Sequence, residues 1–580
     1  MAHRKGSRQW IGSSRLALVA LLLVSAPAGS ARTRSGAVRT VASRPSHPSD
    51  VNGRVFEDRN ANGVQDSGEP GAPGVRLELI ADSTGVAIDS VRTDAGGDFS
   101  LAVPAEPGRR VPMLLQCIPA AGCYPVGASV RAASPGRNVD FGLASFRRIT
   151  LSARNVLCLA RGDLMEKDWA GAQATHRDLD LVAGAEASGT DQLSVWFNHF
   201  DANPLFDALR SYARTAPNAV LSIAADSLGT VRKAAPARAD VVTGTRHSSA
   251  GNLFTWLTQS RTGSEGFLPS SYSQACRTRD DGDVQAVVTG DVTGDGATDI
   301  IAGTRSPGGV RGTIELWASN GAASPEFKRT QSYPAEENRG DALGEVTCMA
   351  LAGLGEVAGT PREVAGRATG APREVAGRAT GAPREVAARQ IVAGTRTSPS
   401  SGQLVVLKCD GGPFEEQWQQ RYEHAAITAL AVVDITGDGR DDIVVATRTG
   451  PESGQLELWR NDAAAGRVAF TLTRAVPVHG IPCSLAAADF GGLAGPDVAV
   501  GFRDNERSLE GRVEIYYCDA HTLPLHGSDP AAGRITNWVP AIVSGDFHTS
   551  LARPSATPRA DLAVGVHGAP GSGAVVLLIR

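Results

Sequence analysis

A short apolar segment recurs seven times between residues 180 and 565, and this repetition constrains the fold more than any other feature. Six copies begin with Asp and one begins with Gln. The copies are Asp180–Gly184, Asp240–Gly244, Asp299–Gly303, Gln390–Gly394, Asp442–Ala446, Asp497–Gly501 and Asp561–Gly565. Nearly continuous apolar character is typical of a strand buried on both faces. Self-similarity at a regular spacing predicts a repeat architecture.

Each copy is followed by a second segment in which apolar and polar residues alternate, as in a strand nearer the surface. These segments are Gln192–Trp196, Asn252–Trp256, Thr313–Trp317, Gln403–Leu407, Gln455–Trp459, Arg512–Tyr516 and Ala574–Leu578. A further apolar stretch precedes each pair and a weaker strand follows it. Four strands per repeat predict the blades of a β-propeller, seven in number. We interpret the recurring Trp residues of the second segments as packing between blades rather than as a sugar-stacking surface.

Two irregularities of the repeat region carry their own predictions. The seventh repeat ends at Arg580, directly after its third strand, while an unassigned segment, Phe146–Ala153, precedes the first repeat. We expect that segment to supply the outer strand of the last blade and to close the ring. The fourth repeat contains a tandem sequence at 361–387, which we interpret as a low-complexity loop insertion.

The N-terminus has the pattern of an export signal. A basic stretch precedes the apolar run Leu16–Val24, and small residues follow it. The sequence predicts a signal peptide at 1–31 and a flexible leader at 32–50; the alternative is an uncleaved anchor. After signal cleavage we expect no membrane span. The expected location is extracellular or at the cell surface, and a periplasmic one is possible.

A loop near residue 60 carries oxygen-bearing side chains at the spacing of a calcium loop, with Gly63 at the sharp turn. The candidate ligands are Asp58, Asn60, Asn62, the carbonyl of Val64, Asp66 and Glu69. Strands, not helices, are expected on both sides. The alternative is an Asn/Asp-rich turn without metal. In this pattern residues 51–143 resemble the SdrD-type B repeat, a Cna-B-like β-sandwich of surface adhesins. That resemblance implies calcium binding that stiffens the module. Residues 51–143 contain no Lys, which excludes the Lys–Asn crosslink of some relatives.

Two repeats share the motif D-x-T-G-D-G-x-x-D before the apolar strand. Oxygen donors without His or Cys favour Ca²⁺. The candidate ligands are Asp291, Thr293, Asp295, Ala297 and Asp299 in one repeat and Asp434, Thr436, Asp438, Arg440 and Asp442 in the other, with Ala297 and Arg440 contributing carbonyls. The alternative is an Asp-Gly turn. The region 145–580 resembles the FG-GAP/VCBS repeat family, also seen in the integrin α head and in some fungal lectins.

Eight cysteines are compatible with an oxidising compartment. Cys117 and Cys123 flank a short turn and are the expected disulfide pair. Cys158, Cys348 and Cys483 are expected at similar places in their repeats, where buried thiols are the alternative to disulfides.

Together these features predict an all-β protein, a small β-sandwich followed by a seven-bladed propeller. A net charge of −4 makes nucleic acid an unexpected partner. No catalytic motif occurs, so we expect a non-enzymatic, calcium-binding, monomeric protein whose propeller binds an extracellular polysaccharide or a surface protein, as in cell adhesion. The alternatives are an extracellular lyase or glycosidase on a propeller scaffold, whose carboxylates the fold would bring together, and a structural surface-layer component.

Overall fold

The structure is a computed structural model. It describes residues 39–40, 50–59, 63–81, 86–103, 113–118, 123–126, 130–134, 136–162, 164, 179–186, 190–198, 212–228, 239–258, 271–309, 311–322, 324–335, 343–354, 389–463, 467–490, 496–518, 535, 537–545, 547, 560–569 and 572–579. Regular structure among these residues is entirely β-strand, as the sequence predicted. The described residues include no helix long and apolar enough to cross a bilayer. The predicted signal peptide and the 361–387 insertion lie outside them.

The N-terminal strands form two sheets that share one hydrophobic core. The strands are β1 (Arg39–Thr40), β2 (Asp50–Glu57), β3 (Arg76–Ala81), β4 (Val86–Arg92), β5 (Asp98–Ala102), β6 (Met113–Ile118), β7 (Cys123–Val126), β8 (Val130–Ala133) and β9 (Phe141–Ser145). One sheet has the order β1-β4-β3-β6-β8 and the other β5-β2-β9-β7. Strands lie on both sides of the 58–69 loop, as expected. Within the segment expected to be a leader, the two residues of β1 pair in parallel with β4.

The described residues after 146 form seven further sheets, which we number in chain order. Strand β10 (Arg147–Ser152) comes first in the chain. Sheet 1 contains β11 (Val156–Gly162), β12 (Asp180–Ala185), β13 (Leu193–Trp196) and β14 (Tyr212–Arg214). Sheet 2 contains β15 (Val220–Asp226), β16 (Asp240–Ser248), β17 (Gly251–Trp256) and β18 (Gln274–Cys276). Sheet 3 contains β19 (Asp283–Gly290), β20 (Asp299–Arg305), β21 (Ile314–Ser319) and β22 (Phe327–Tyr333).

The remaining sheets follow the same order. Sheet 4 contains β23 (Glu345–Ala352), β24 (Arg389–Ser398), β25 (Ser401–Cys409) and β26 (Glu415–Tyr422). Sheet 5 contains β27 (Ala426–Val433), β28 (Asp442–Arg448), β29 (Ser453–Asn461) and β30 (Phe470–His479). Sheet 6 contains β31 (Ile481–Ala488), β32 (Asp497–Arg503) and β33 (Gly511–Tyr516). Sheet 7 contains β34 (Trp538–Gly545), β35 (Asp561–His567) and β36 (Ala574–Ile579).

Strand β10 completes sheet 7, which confirms the prediction for the segment before the first repeat. It pairs antiparallel with β36, from Arg147 opposite Ile579 to Ser152 opposite Ala574. A single hydrophobic cluster then joins sheet 7 to sheet 1, with Leu151 and Val575 packed in the same cluster as Val156. The two ends of the repeat region are therefore held together by strand pairing and by packing.

The first strands of the seven sheets contact one another in chain order. Strands β11, β15, β19, β23, β27, β31 and β34 each contact the next, and β34 also contacts β11. Small and branched apolar side chains on these strands fill the space between neighbouring sheets. The core of the repeat region thus lies between the sheets, as twisted stacked sheets require.

The recurring Trp residues lie in this core, which confirms their interpretation as packing residues. Trp196, Trp256, Trp317 and Trp459 are at most 7 % exposed. Trp459 also satisfies its polar atom internally, because its Nε1 donates to Glu457 Oε2 at 2.9 Å.

The disulfide prediction is wrong: all eight cysteines are free thiols in the structure. Cys117 is buried on β6, whereas Cys123 begins β7 in the other sheet, with its Sγ 3.7 Å from Ser145 Oγ. The prediction that Cys483 has the same place in its repeat as Cys158 is wrong by one residue. Cys158 packs closely against a glycine of the second strand, and in sheet 6 Ser484 has that position.

The closure of the repeat region by β10 predicts a measurable effect of one apolar side chain. Leu151→Ala should lower the free energy of unfolding by about 2–3 kcal/mol, because it leaves a cavity between sheets 7 and 1. Thr150→Ala is the matched control, since Thr150 lies on the same strand but is exposed. Urea denaturation followed by Trp fluorescence measures both. Equal effects of the two substitutions would contradict the packing role of β10.

Candidate metal-binding loops

The Asp or Gln that begins each repeated apolar segment has the same place in every sheet. It lies opposite the last residue of the first strand across an antiparallel ladder. The pairs are Gly162 with Asp180, Asp226 with Asp240, Gly290 with Asp299, Ala352 with Gln390, Val433 with Asp442, Ala488 with Asp497 and Gly545 with Asp561. The loop between the first two strands therefore begins and ends beside this side chain. We call the Asp or Gln at this position the strand-start residue.

One oxygen of each strand-start residue accepts a hydrogen bond from the loop. The donor is always the backbone N–H of the residue two positions after the first strand. The donors are Leu164 (2.8 Å), Leu228 (3.1 Å), Val292 (3.1 Å), Leu354 (2.9 Å), Ile435 (3.0 Å), Phe490 (2.9 Å) and Phe547 (2.9 Å). All seven donor side chains are buried and apolar. Sequence reasoning missed these donors, although an apolar residue recurs at that spacing in all seven repeats.

In five of the sheets, among the described residues, the second carboxylate oxygen reaches the end of the third strand. It accepts from the backbone N–H of Asn198 (3.0 Å), Thr258 (2.7 Å), Ser319 (3.0 Å), Asn461 (2.9 Å) and Cys518 (2.9 Å) in sheets 1, 2, 3, 5 and 6. One side chain therefore ties the ends of three strands together. Burial raises the pKa of Asp240 to about 6 and raises the pKa of Asp299 and Asp442, while the accepted hydrogen bonds oppose the shift.

The sheet 3 loop wraps its first carboxylate with backbone donors. Asp291 Oδ1 accepts from Gly294 N at 2.7 Å and its Oδ2 accepts from Gly296 N at 3.0 Å. Asp295 Oδ1 accepts from Ala297 N at 2.8 Å. Both glycines have a φ of at least 80°, the left-handed region that other residues adopt at a cost. The repeated T-G-D-G sequence is thus explained by the turn itself.

The sheet 5 loop has a similar arrangement, except that one carboxylate oxygen accepts no hydrogen bond. Asp434 Oδ2 accepts from Gly439 N at 2.8 Å, and Asp438 Oδ1 accepts from Arg440 N at 2.9 Å. Asp434 Oδ1 is buried and has no hydrogen-bond partner. Burial and then, more weakly, the charge of Asp438 raise the pKa of Asp442. Negative charge is therefore concentrated in this loop around an acceptor that lacks a donor.

The strand-start residues of both motif loops accept hydrogen bonds from residues of the turn itself. Asp299 Oδ2 accepts from the backbone N–H and the hydroxyl of Thr293, at 3.0 and 3.1 Å, and Asp442 Oδ2 does the same with Thr436. Within the described ranges, no three His, Cys, Asp or Glu side chains are gathered as a metal cluster. In sheet 3, Asp291 and Asp295 thus accept backbone amides of the loop, and Asp299 is committed to the donors of Val292 and Thr293.

The loop of the N-terminal sandwich is also organised by two carboxylates. Asp58 is 1 % exposed, and its Oδ2 accepts from Gly63 N at 2.6 Å. Glu69 accepts from Arg59 N at 2.8 Å through Oε1 and from Asp66 N at 2.9 Å through Oε2. The side chain of Val64 is 62 % exposed. The candidate ligands Asn60 and Asn62 lie outside the described residues.

Comparison with known proteins supports both resemblances over part of the chain. Residues 50–107 match the model of the SdrD B-like domain, and residues 426–470 match that of the FG-GAP repeat. No curated protein matches the sequence. These two families confirm the sandwich and propeller-repeat resemblances predicted from the motifs, and both are typical of extracellular proteins.

Solved propeller-type structures are similar at low sequence identity. Sqt1 of Chaetomium thermophilum is 12 % identical, with 74 % of this chain and 87 % of that chain covered and a TM-score of 0.38. The Dos1 propeller is 10 % identical, with 74 % and 93 % covered and a TM-score of 0.35. Sqt1 bound to the N-terminus of ribosomal protein L10 is 11 % identical, with 72 % and 84 % covered and a TM-score of 0.37.

The strand-start carboxylate can be tested apart from any metal in sheet 6, whose loop lacks the middle of the motif. Asp497→Ala should lower the free energy of unfolding by about 2–5 kcal/mol, because the N–H groups of Phe490 and Cys518 lose their acceptor. Asp497→Asn keeps one acceptor oxygen and should cost less, since Gln390 serves sheet 4 through one oxygen. Urea denaturation measures both; an Ala variant as stable as the wild type contradicts the role.

Proposed function

We propose that the chain is an exported, calcium-stiffened binding protein in which a β-sandwich precedes a closed seven-bladed propeller. The closed ring is supported by two features. The first strands contact one another in order and β34 contacts β11, while β10 supplies the fourth strand of sheet 7. A chain joined in this way has no open edge between its first and last sheets.

The calcium proposal is carried by the buried, unpartnered Oδ1 of Asp434. A buried acceptor without a donor is costly, and a divalent cation supplies the missing interaction. Asp434 and Asp438 would hold the ion with the carbonyl of Arg440, and Asp442 and Thr436 would fix the turn around it. Asp291, Asp295 and the Ala297 carbonyl form the equivalent set in sheet 3. When bound, calcium would neutralise these carboxylates and stiffen the loop.

The sandwich loop fits a cation for a related reason. Asp58 is a buried carboxylate at the start of the loop, and Gly63 provides the left-handed turn that the spacing requires. Asp58, Asp66 and Glu69, with Asn60, Asn62 and the Val64 carbonyl, are the proposed ligands. A stiffened sandwich would act as a spacer that holds the propeller away from its attachment point.

The propeller itself is the proposed binding element, for an extracellular polysaccharide or a surface protein, and the chain is proposed to act as a monomer without catalysis. The FG-GAP match at 426–470 supports a ligand-binding propeller. The SdrD B-like match at 50–107 supports an extracellular or cell-surface location, reached through the signal sequence at 1–31.

Calcium should raise the melting temperature of the full chain by a few degrees over the chelated protein. A ligand in hundredfold excess over its Kd adds about 2.7 kcal/mol to the stability of the form that binds it. Asp434→Asn should reduce this calcium-dependent shift. Differential scanning calorimetry in calcium, in magnesium and in chelator provides the measurement.

Asp489→Asn is the matched control for this experiment, because Asp489 has the same position in sheet 6, where the rest of the motif is absent. The control should keep the full calcium shift. Identical melting with calcium and with chelator in the wild type, or equal losses in the two variants, would contradict the calcium proposal for sheet 5.

A further inference from the structure

A basic residue recurs at the far end of the repeated second strand, six positions after each strand-start residue. The residues are Arg246, Arg305, Arg396, Arg448, Arg503 and His567 in sheets 2 to 7, with Glu186 at this position in sheet 1. We call these seven residues, the six basic ones and Glu186, the rim. Six residues of extended chain span about 20 Å. The rim therefore lies at the opposite end of the sheets from the candidate calcium loops.

Contacts across sheet boundaries connect the rim residues. Glu345 of sheet 4 contacts Arg305 of sheet 3 at 3.7 Å and Arg396 of its own sheet at 2.7 Å. The Arg503 guanidinium lies 5.1 Å from the ring centroid of Trp538, which begins sheet 7. The rim is thus a continuous surface rather than a set of isolated side chains.

The same surface continues through sheet 7 into sheet 1. The rings of Trp538 and His567 lie 4.8 Å apart. His567 Nε2 is 3.3 Å from Glu186 Oε1, and hydrogen bonds from Asn155 and His567, with the more distant charge of Arg246 in sheet 2, lower the pKa of Glu186 against the effect of burial. Sheets 6, 7, 1 and 2 are therefore linked at this end.

Three rim guanidinium groups, those of Arg396, Arg448 and Arg503, lie close enough in the arc of sheets 4, 5 and 6 for their charges to interact, and Arg396 and Arg448 each also pair with a Glu. Burial and then the charges of Arg396 and Arg503 lower the pKa of Arg448. Arg448 pairs with Glu506, which lies on the loop between β32 and β33. Arg503 donates through Nε to the Ser508 carbonyl at 2.8 Å. Within the described part of the chain, Arg503 forms no ion pair with a carboxylate, and like charges held this close favour an added anion.

An unpartnered nitrogen lies next to this arc. His567 is 8 % exposed, and its Nδ1 is buried without a hydrogen-bond partner. A buried polar nitrogen of this kind is costly unless a ligand or water meets it. The half-buried guanidinium groups have planar donors that match carboxylate and sulfate oxygens, and His567 Nδ1 joins them as a donor in the protonated imidazolium form; together they indicate an anion-binding surface.

We propose that the rim, centred on Arg448, Arg503 and His567, binds an acidic polysaccharide through its carboxylate or sulfate groups. The inference rests on the proposed binding function and specifies its ligand class and its surface. Basic groups at equivalent register positions in six sheets suit a polymer whose charges also repeat regularly.

Binding of the full chain to carboxymethyl cellulose, with hydroxyethyl cellulose as the neutral polymer of the same backbone, tests this proposal. Biolayer interferometry in calcium buffer should detect the anionic polymer and not the neutral one. The double variant Arg448→Gln/Arg503→Gln should bind at least about tenfold more weakly, because charge-assisted hydrogen bonds are lost. Arg421→Gln removes an exposed charge from the outer strand β26 and should leave the affinity unchanged.

Hydrogen–deuterium exchange of the wild-type chain locates the bound polymer without any substitution. Carboxymethyl cellulose should protect the loops at 449–452 and 504–510, at the rim end, and leave 434–441 unaffected. Three outcomes would overturn the rim proposal. They are protection at 434–441 alone, a loss of affinity in Arg421→Gln equal to that of the double variant, and preference for the neutral polymer. A neutral-polymer preference would leave the general binding function standing, and lack of any calcium shift would affect only the calcium proposal.

Discussion

The fold of the repeat region depends on one interaction made seven times: the strand-start side chain accepts the amide two residues after the preceding strand. Each such bond fixes both ends of a loop from a buried position. Because the acceptor lies at the base of the loop, the residues between can vary in length and composition. Sheet 4 illustrates this freedom, since Gln390 still holds the Leu354 amide although the tandem insertion separates them in sequence.

The same interaction explains why the candidate calcium loops occur in only two sheets. Asp299 and Asp442 do in sheets 3 and 5 what Asp497 does in sheet 6 without the motif, so the turn does not require a metal. The additional carboxylates in sheets 3 and 5 accept amides of their own turns, and only Asp434 Oδ1, among these described oxygens, is buried without a donor, which is the feature that favours a ligand. The proposed calcium loops and the proposed anion-binding rim lie at opposite ends of the sheets, so stiffening and binding are separated in space.

Much of this architecture could be predicted from sequence because strand periodicity and repetition are local signals. The second and third strands of each sheet and the pairing of β10 with β36 agree with the pattern. The roles of individual polar atoms could not be predicted in the same way. The Cys117–Cys123 pair failed because proximity in sequence does not decide which sheet a strand joins. Asp299 was interpreted only as a metal ligand because its amide donors are backbone groups, which leave no residue-type signal. The rim was overlooked, although Gly-Thr-Arg recurs at 244–246, 303–305 and 394–396, because its meaning depends on neighbouring sheets meeting at one end.

A crystal structure of the full chain grown with calcium would test the strand-start interaction most directly. The account predicts that Asp299 and Asp442 keep their hydrogen bonds to the amides of Val292 and Ile435, at 3.1 and 3.0 Å, even with metal in the loop. Carboxylates turned away from these amides, with separations beyond about 4 Å, would contradict it.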